Sequence, residues 1–438
     1  MEFIGAFEST YIPHADTDVL ETSGHVARWQ DDLALLRDTG ITRLRYPIRW
    51  HRIEAEPGAY DWSETDRVLG HLRDEGFEPI VDLVHHTSYP AWLERGFADS
   101  RFPDAYLRYC EAFARRYPWV SQYTVFNEPF ATLFLCGHEA IWPPYGKGME
   151  SLVGVFENVL PSIFEATRMY RDLLPDAEHI YVDTCEGHTA FDEGGAYMAE
   201  MANDRRFFAL DLLLGRDMPE SRPFVTEVLV AGGEKLFDLE PGHIDVLGLD
   251  YYAHSEWCFS SSGGITPSPQ PLGLAALAAT YHERYDIPLI LSETNIRGYA
   301  PDRVSWLKHT LEQVETARAA GIPLNAFCWF PFIDSVDWDS LLARADRHVD
   351  PVGVYWLDEN LDRRASTMSE VFASVVGGAS SSELPAFRFQ PPIDTWLRGF
   401  SSFMDDWEWQ DPPAEEVGMC ANTREIHNSW EVVSDFIG

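Results

Sequence analysis

Two stretches of this chain deliver a glutamate at the end of an apolar run. Residues 123–129 read YTVFNEP and residues 287–295 read IPLILSETN. In the first, β-branched and aromatic side chains predict a short buried strand. Pro129 ends it, because proline cannot donate to a ladder. Glu128 stands at that boundary, and Glu293 holds the matching place in the second stretch. A carboxylate so placed is costly unless it is paired or used. Hydrolysis of an acetal uses two: one group protonates the leaving oxygen, and the other faces the anomeric carbon. Carboxyl groups about 5–5.5 Å apart make the second a nucleophile and the reaction retaining.

Something must bring two such strand ends together. Apolar runs predict strands at residues 3–7, 43–48, 78–84, 123–126, 180–183, 245–252, 289–292 and 324–329. Helical patterns fall between them, at 26–39, 63–76, 103–116, 152–164, 272–284 and 303–320, with a closing helix at 364–376. One or two further helices are expected between residues 184 and 232. The stripe Leu152, Val155, Phe156, Val159, Leu160, Ile163, Phe164 has helical spacing. Eight strands alternating with helices predict an α/β fold, a (β/α)8 TIM barrel over residues 1–377. A doubly wound sheet would call for a glycine-rich turn after an early strand, and no GxGxxG is present. Residues 378–438 begin GGASSSELP and then carry Trp396, Trp407, Trp409 and Trp430 among many acids. They predict a C-terminal extension packed on the barrel or partly disordered.

In such a barrel the working residues sit at strand C-terminal ends. Those ends hold Glu8, Arg45, His85, Asn127, Glu128, Asp183, Asp250, Tyr252, Glu293, Trp329, Asp334 and Asp337. Arg45 and Tyr252 are the groups placed to keep Glu293 ionised, since a nearby cation or donor lowers a carboxyl pKa. Burial against aromatic rings raises that of Glu128, giving one acid and one anion.

Composition narrows the partners. The 438 residues carry a net charge of −38, with three lysines against 30 arginines. That field repels nucleic acid and anionic membrane surfaces. No segment approaches the length of apolar run that spans a bilayer, and the start, MEFIGAF, runs straight into a strand, so a cytoplasmic location is expected. The six cysteines are scattered, without CxxC or zinc-ligand spacing, and read as buried thiols in a reducing compartment. No metal or cofactor is expected. The 15 tryptophans suit a cleft in which flat rings stack on sugar C–H faces.

At this point the motifs resemble a family. VFNEP, LSETN, LRYPIRWHRI, LVHH, LGLDYY and FCWFPFIDSVDWDS stand in order along residues 3–376. Together they are similar to the retaining (β/α)8 glycoside hydrolases, and most of all to the β-glucosidases of glycoside hydrolase family 1. The resemblance implies Glu128 as acid/base, Glu293 as nucleophile and Asn127 on the sugar 2-hydroxyl. It implies sugar-binding roles for Arg45, His85, Trp329, Asp337 and Trp338, with Tyr252 touching the nucleophile. Glu8 is an additional candidate. Four departures stand out: Ser-Glu-Thr-Asn where the family has Thr-Glu-Asn-Gly, Ile12 near an expected glutamine, Asp337 for a glutamate, and Asp250 for an asparagine. The expected activity is exo-acting hydrolysis of a small β-glycoside. The alternatives are a sugar-binding barrel without turnover and a β-glycanase that cuts internally. Oligomeric state is open.

Overall fold

The computed structural model describes residues 1–391 and 393–417. Eight parallel strands close into a barrel: β1 (Glu2–Ala6), β2 (Arg43–Pro47), β3 (Glu78–Asp82), β4 (Gln122–Thr124), β5 (Glu178–Thr184), β6 (Val246–Asp250), β7 (Leu289–Glu293) and β8 (Leu324–Cys328). Each pairs with its neighbours in chain order, and β1 closes against β8. All eight strands read from the sequence are present. The stretch between residues 184 and 232 holds three helices, Glu193–Arg205, Phe208–Leu213 and Pro223–Val230, more than its pattern announced. It also supplies Gly187–Ala190, which pairs with Glu256–Phe259 in a small sheet beside the barrel.

Two apolar layers result. Ile4, Ala6, Ile80, Ile180, Val182, Ile290, Ala326 and Cys328 fill the barrel interior. A larger core lies between strands and helices; Trp50, Tyr106, Tyr109, Phe156 and Trp306 are among its fully buried members. Period-two alternation along each strand separates the layers. Gly248 shows how tight the interior is: a Cβ there would stand 2.4 Å from Ser292 Oγ and 2.6 Å from Val182 Cγ1.

Register shifts twice along β7, against β8 between Leu289 and Leu291 and against β6 at the strand's end. Leu291 pairs with Leu249, but Glu293, not Ser292, pairs with Asp250. The extra residue is a β-bulge, which bends a strand and redirects the side chains beyond it. Ile290 and Ser292 face the interior, so strict alternation would turn Glu293 away from it. The bulge turns it back.

Past the closing helix Thr367–Val376, the chain runs along the helix Ala300–Ala319 that follows β7. The Ser305 hydroxyl donates to the Phe387 carbonyl and accepts from its N–H, at 2.7 and 2.8 Å. Lys308 donates to the Ser381 carbonyl at 2.7 Å, and the Trp407 indole donates to Glu312 at 3.0 Å. Trp430 lies outside the described residues.

The loop after β1 is anchored by Asp18. Its buried carboxylate accepts from Arg49 Nε at 3.0 Å, Arg49 Nη2 at 2.7 Å and the Leu20 N–H at 3.0 Å, and pairs with His51 at 2.8 Å. Burial pushes this carboxyl up, but His51 and Arg49 outweigh it and hold it at about 2. Because folding depresses the pKa, the added stability is complete above the ordinary aspartate range and is lost as pH falls through about 2. Replacing Asp18 with Asn should therefore cost roughly 2 kcal/mol or more at neutral pH. Urea denaturation across pH should show the difference from wild type shrinking in acid.

Candidate active site

The mouth of the barrel, at the C-terminal ends of the strands, opens into a cavity of about 210 Å³. Glu8, His86, Glu128, Trp142, Glu186, Tyr252, Glu293, Arg297, Phe330 and Trp338 are among its lining residues.

Glu128 is delivered by a strained turn. Beyond β4 the backbone is held on both sides: the Asn127 N–H donates to the Val84 carbonyl and the Glu128 N–H to that of Val182. Glu128 itself is left-handed, at φ 43°, and caps the helix Pro129–Gly137. A non-glycine residue pays a strain of order 1–3 kcal/mol for such a conformation, and these residues gather at functional sites. Asp183, at the end of β5, fixes the turn by accepting the Phe130 and Ala131 N–H groups at 2.8 and 3.2 Å. Its own carboxyl is pushed up to about 6 by burial, against four hydrogen bonds that pull the other way.

The two glutamates stand in opposite surroundings. Glu293 pairs with Arg45 at 2.5 Å and accepts from the Tyr252 hydroxyl on its other oxygen. The nearest basic side chain to Glu128 is His86, with Nε2 at 3.8 Å. The Thr132 hydroxyl donates to the Asn127 carbonyl at 3.2 Å and so accepts from His86 Nδ1 at 2.8 Å. That leaves Nε2 as an acceptor. Burial drives the His86 pKa well down, so the ring is neutral. Burial, then the charges of Asp250, Glu293 and Asp183, push the Glu128 carboxyl well up. Glu293 thus has a cation and a hydroxyl donor, and Glu128 is the one held as an acid.

Arg45 joins the elements. Beyond Glu293 it reaches Asn127 Oδ1 at 2.6 Å, the Ser292 carbonyl at 3.3 Å and Asp82 at 3.4 Å. Asp82 in turn holds His85 Nδ1 at 2.8 Å, and His85 Nε2 faces Glu8 at 3.5 Å. Burial lowers the His85 pKa, but Asp82 and then Glu8 outweigh it and the net shift is upward. One carboxylate oxygen from each of Glu128, Asp250 and Glu293 lies within 4.8 Å of the other two. Such a trio could attract a cation, and Arg45 already supplies the positive charge beside it.

With this geometry in view, the chain was compared with known proteins. The model of glycosyl hydrolase family 1 matches residues 9–257. The chain belongs to glycosyl hydrolase family 1. Beta-glucosidase A of Thermotoga maritima is 21% identical over 381 residues, covering 78% of this chain and 83% of the relative. A 6-phospho-beta-glucosidase of Dickeya chrysanthemi is 23% identical over 360 residues, covering 69% and 75%. The structure of the Thermotoga maritima beta-glucosidase with deoxynojirimycin superposes with a TM-score of 0.72 at 17% identity, over 86% of this chain and 97% of that one. As a member of family 1, the protein is a retaining β-glycosidase acting on O-glycosidic bonds.

The family 1 match contains Arg45, His85, Asn127, Glu128 and Tyr252 and ends before Glu293. The position of Glu293 opposite Glu128 comes from the structure. Of the other residues read from sequence, Glu8 and Trp338 line the cavity. Arg45, His85 and Asn127 lie buried beneath it. Trp329 sits deeper, its indole donating to the Val352 carbonyl at 2.8 Å, and Phe330 takes the place at the wall. The Asp337 carboxylate accepts the Arg347 and His348 N–H groups at 3.1 and 2.8 Å. Sequence reasoning passed over Asp82, His86, Trp142, Arg297 and the anchoring role of Asp183. His86 was the most legible of these, as the residue after His85 at the end of β3.

Tyr252→Phe removes the donor to Glu293 while keeping the ring. Hydrogen bonds to charged groups contribute about 1.5–3 kcal/mol, so kcat/KM for an aryl β-glycoside should fall roughly 10- to 100-fold with little change in thermal stability. Steady-state kinetics beside a thermal melt test this.

Proposed function

We propose that Glu128 is the acid/base and Glu293 the nucleophile of this β-glycosidase, and that its substrate carries a neutral glycone. The observation that supports the pair most directly is their contrast: Glu293 is bound by Arg45 and Tyr252, and Glu128 is buried without a cation. In the first step a Glu293 oxygen bonds to the anomeric carbon, the glycosidic C–O bond breaks, and the Glu128 proton moves to the leaving oxygen. In the second, water gives a proton to Glu128, its oxygen bonds to the anomeric carbon, and the ester to Glu293 breaks. Arg45 and Asn127 hold the floor of the site. Trp338, Trp142 and Phe330 offer apolar faces to sugar or aglycone.

Glu128→Gln and Glu293→Gln should each lower kcat by about 10³-fold or more. Azide should restore turnover to Glu293→Gly and yield a glycosyl azide of inverted configuration. Full activity in both glutamine variants would falsify the assignment.

The neutral glycone follows from charge. Glu8, Glu128, Glu186, Glu293, Asp339 and Asp350 line the cavity, and Arg297 is the single lysine or arginine among its lining residues. Arg297 is already paired with Asp350 through Nε and Nη2. A phosphorylated sugar would enter a field of its own sign, and such juxtapositions cost several kcal/mol. An aryl β-glucoside should therefore be preferred over its 6-phosphate by at least about 10²-fold in kcat/KM. Parallel assays of the two substrates decide it.

A further inference from the structure

We propose that Asp250 is a third carboxylate of the reaction, a positioning residue that shares the Glu128 proton and thereby sets the pH range over which Glu128 works. The inference rests on the roles given above to Glu128 and Glu293. It concerns the position where the family motif has asparagine.

Asp250 ends β6 and is fully buried. Its Oδ1 accepts the Ser292 hydroxyl at 2.6 Å. Its Oδ2, equally buried, has no donor as long as every carboxyl around it is counted as ionised. A proton on Glu128 is the nearest candidate donor: an oxygen of each carboxyl lies within 4.8 Å of the other, and Asp250 acts on Glu128 both as a charge and as a hydrogen-bond partner. The arrangement asks for one proton. Among the described residues Arg45 is the single cation at the trio, and its short contacts go to Glu293 and Asn127. Glu293 also has the Tyr252 hydroxyl. Like charges this close cannot all ionise in a buried site, so the proton stays with the two carboxyl groups that lack a cation.

The remaining neighbours do not change this. Asp183 on β5 adds a negative charge felt by both Glu128 and Asp250. Cys328 on β8 is kept as a thiol by burial, and His86 is neutral. Burial followed by the Glu293 charge pushes the Asp250 carboxyl well up, in the same sense as Glu128.

The consequence differs between the two halves of the reaction. With a neutral amide at position 250, esterification of Glu293 would remove the principal charge beside Glu128, and the acid would become a weaker base. Asp250 keeps a charge there. Glu128 therefore retains more proton affinity in the covalent intermediate, and deglycosylation requires a higher pH.

The test is Asp250→Asn, with pH profiles of kcat/KM on two aryl β-glycosides. For a poor leaving group, the alkaline limb should move down by at least about one pH unit, because Glu128 loses its negative neighbour. For a dinitrophenyl leaving group, which needs no proton, that limb should stay in place. Equal rate losses on both substrates with an unmoved limb would overturn the inference. The glutamine variants of Glu128 and Glu293, measured in parallel, show separately whether the catalytic pair is correctly assigned. Should Asp250→Asn not fold, infrared difference spectra of the wild-type enzyme answer the same question. After Glu293 is trapped by a 2-deoxy-2-fluoro glycoside, the protonated-carboxyl band should persist at neutral pH. Its disappearance would overturn the inference.

Discussion

The site is built on one buried cation. Arg45 sits at the centre of a barrel mouth that gathers Asp82, Glu128, Asp250 and Glu293 from four different strands or the turns after them. Burial alone would weaken its charge, and Glu293, Asp82 and Asp250 reinforce it instead. Without that guanidinium the carboxylates would repel each other in a medium that screens poorly, and most would take up protons. With it, one anion is satisfied and the rest divide what remains. The chemical difference between two identical side chains, Glu128 and Glu293, is thus largely a matter of which one Arg45 touches.

The scaffold is arranged to protect that contact. Asp82 and Asn127 hold the guanidinium from β3 and from the turn beyond β4, and the Ser292 carbonyl holds it from β7. Asp183 does the corresponding work for Glu128, binding the first amides of the helix that the glutamate caps. Glu128 and Glu293 are therefore each positioned in part by strands other than their own. The C-terminal segment adds a brace on the helix after β7, through Ser305, Lys308 and Glu312.

Much of this was legible in the sequence because it depends on local pattern. Apolar runs separated by helical stripes specify a barrel, and the barrel's geometry then points to strand ends such as Glu128 and Glu293. What pattern does not carry is the direction of a side chain once the strand has ended. Trp329 and Phe330 are adjacent and equally aromatic, and nothing in their order says that Phe330 takes the wall. Nor does pattern show that the loop folds back so that the Asp337 oxygens accept two backbone amides. The anchoring roles of Asp82 and Asp183 are hidden for another reason: Arg45, Phe130 and Ala131, which they hold, lie dozens of residues away.

The bulge in β7 achieves its effect by economical means. A parallel strand alternates in and out with no regard for chemistry, so the final residue's direction is fixed by parity. One additional residue changes the parity, letting Ser292 and Glu293 both look inward across from Asp250. The direction of Glu293 thus hangs on an odd count along five residues. Losing one of them would leave the composition almost untouched and turn that carboxylate to the outer wall, among the hydrocarbons.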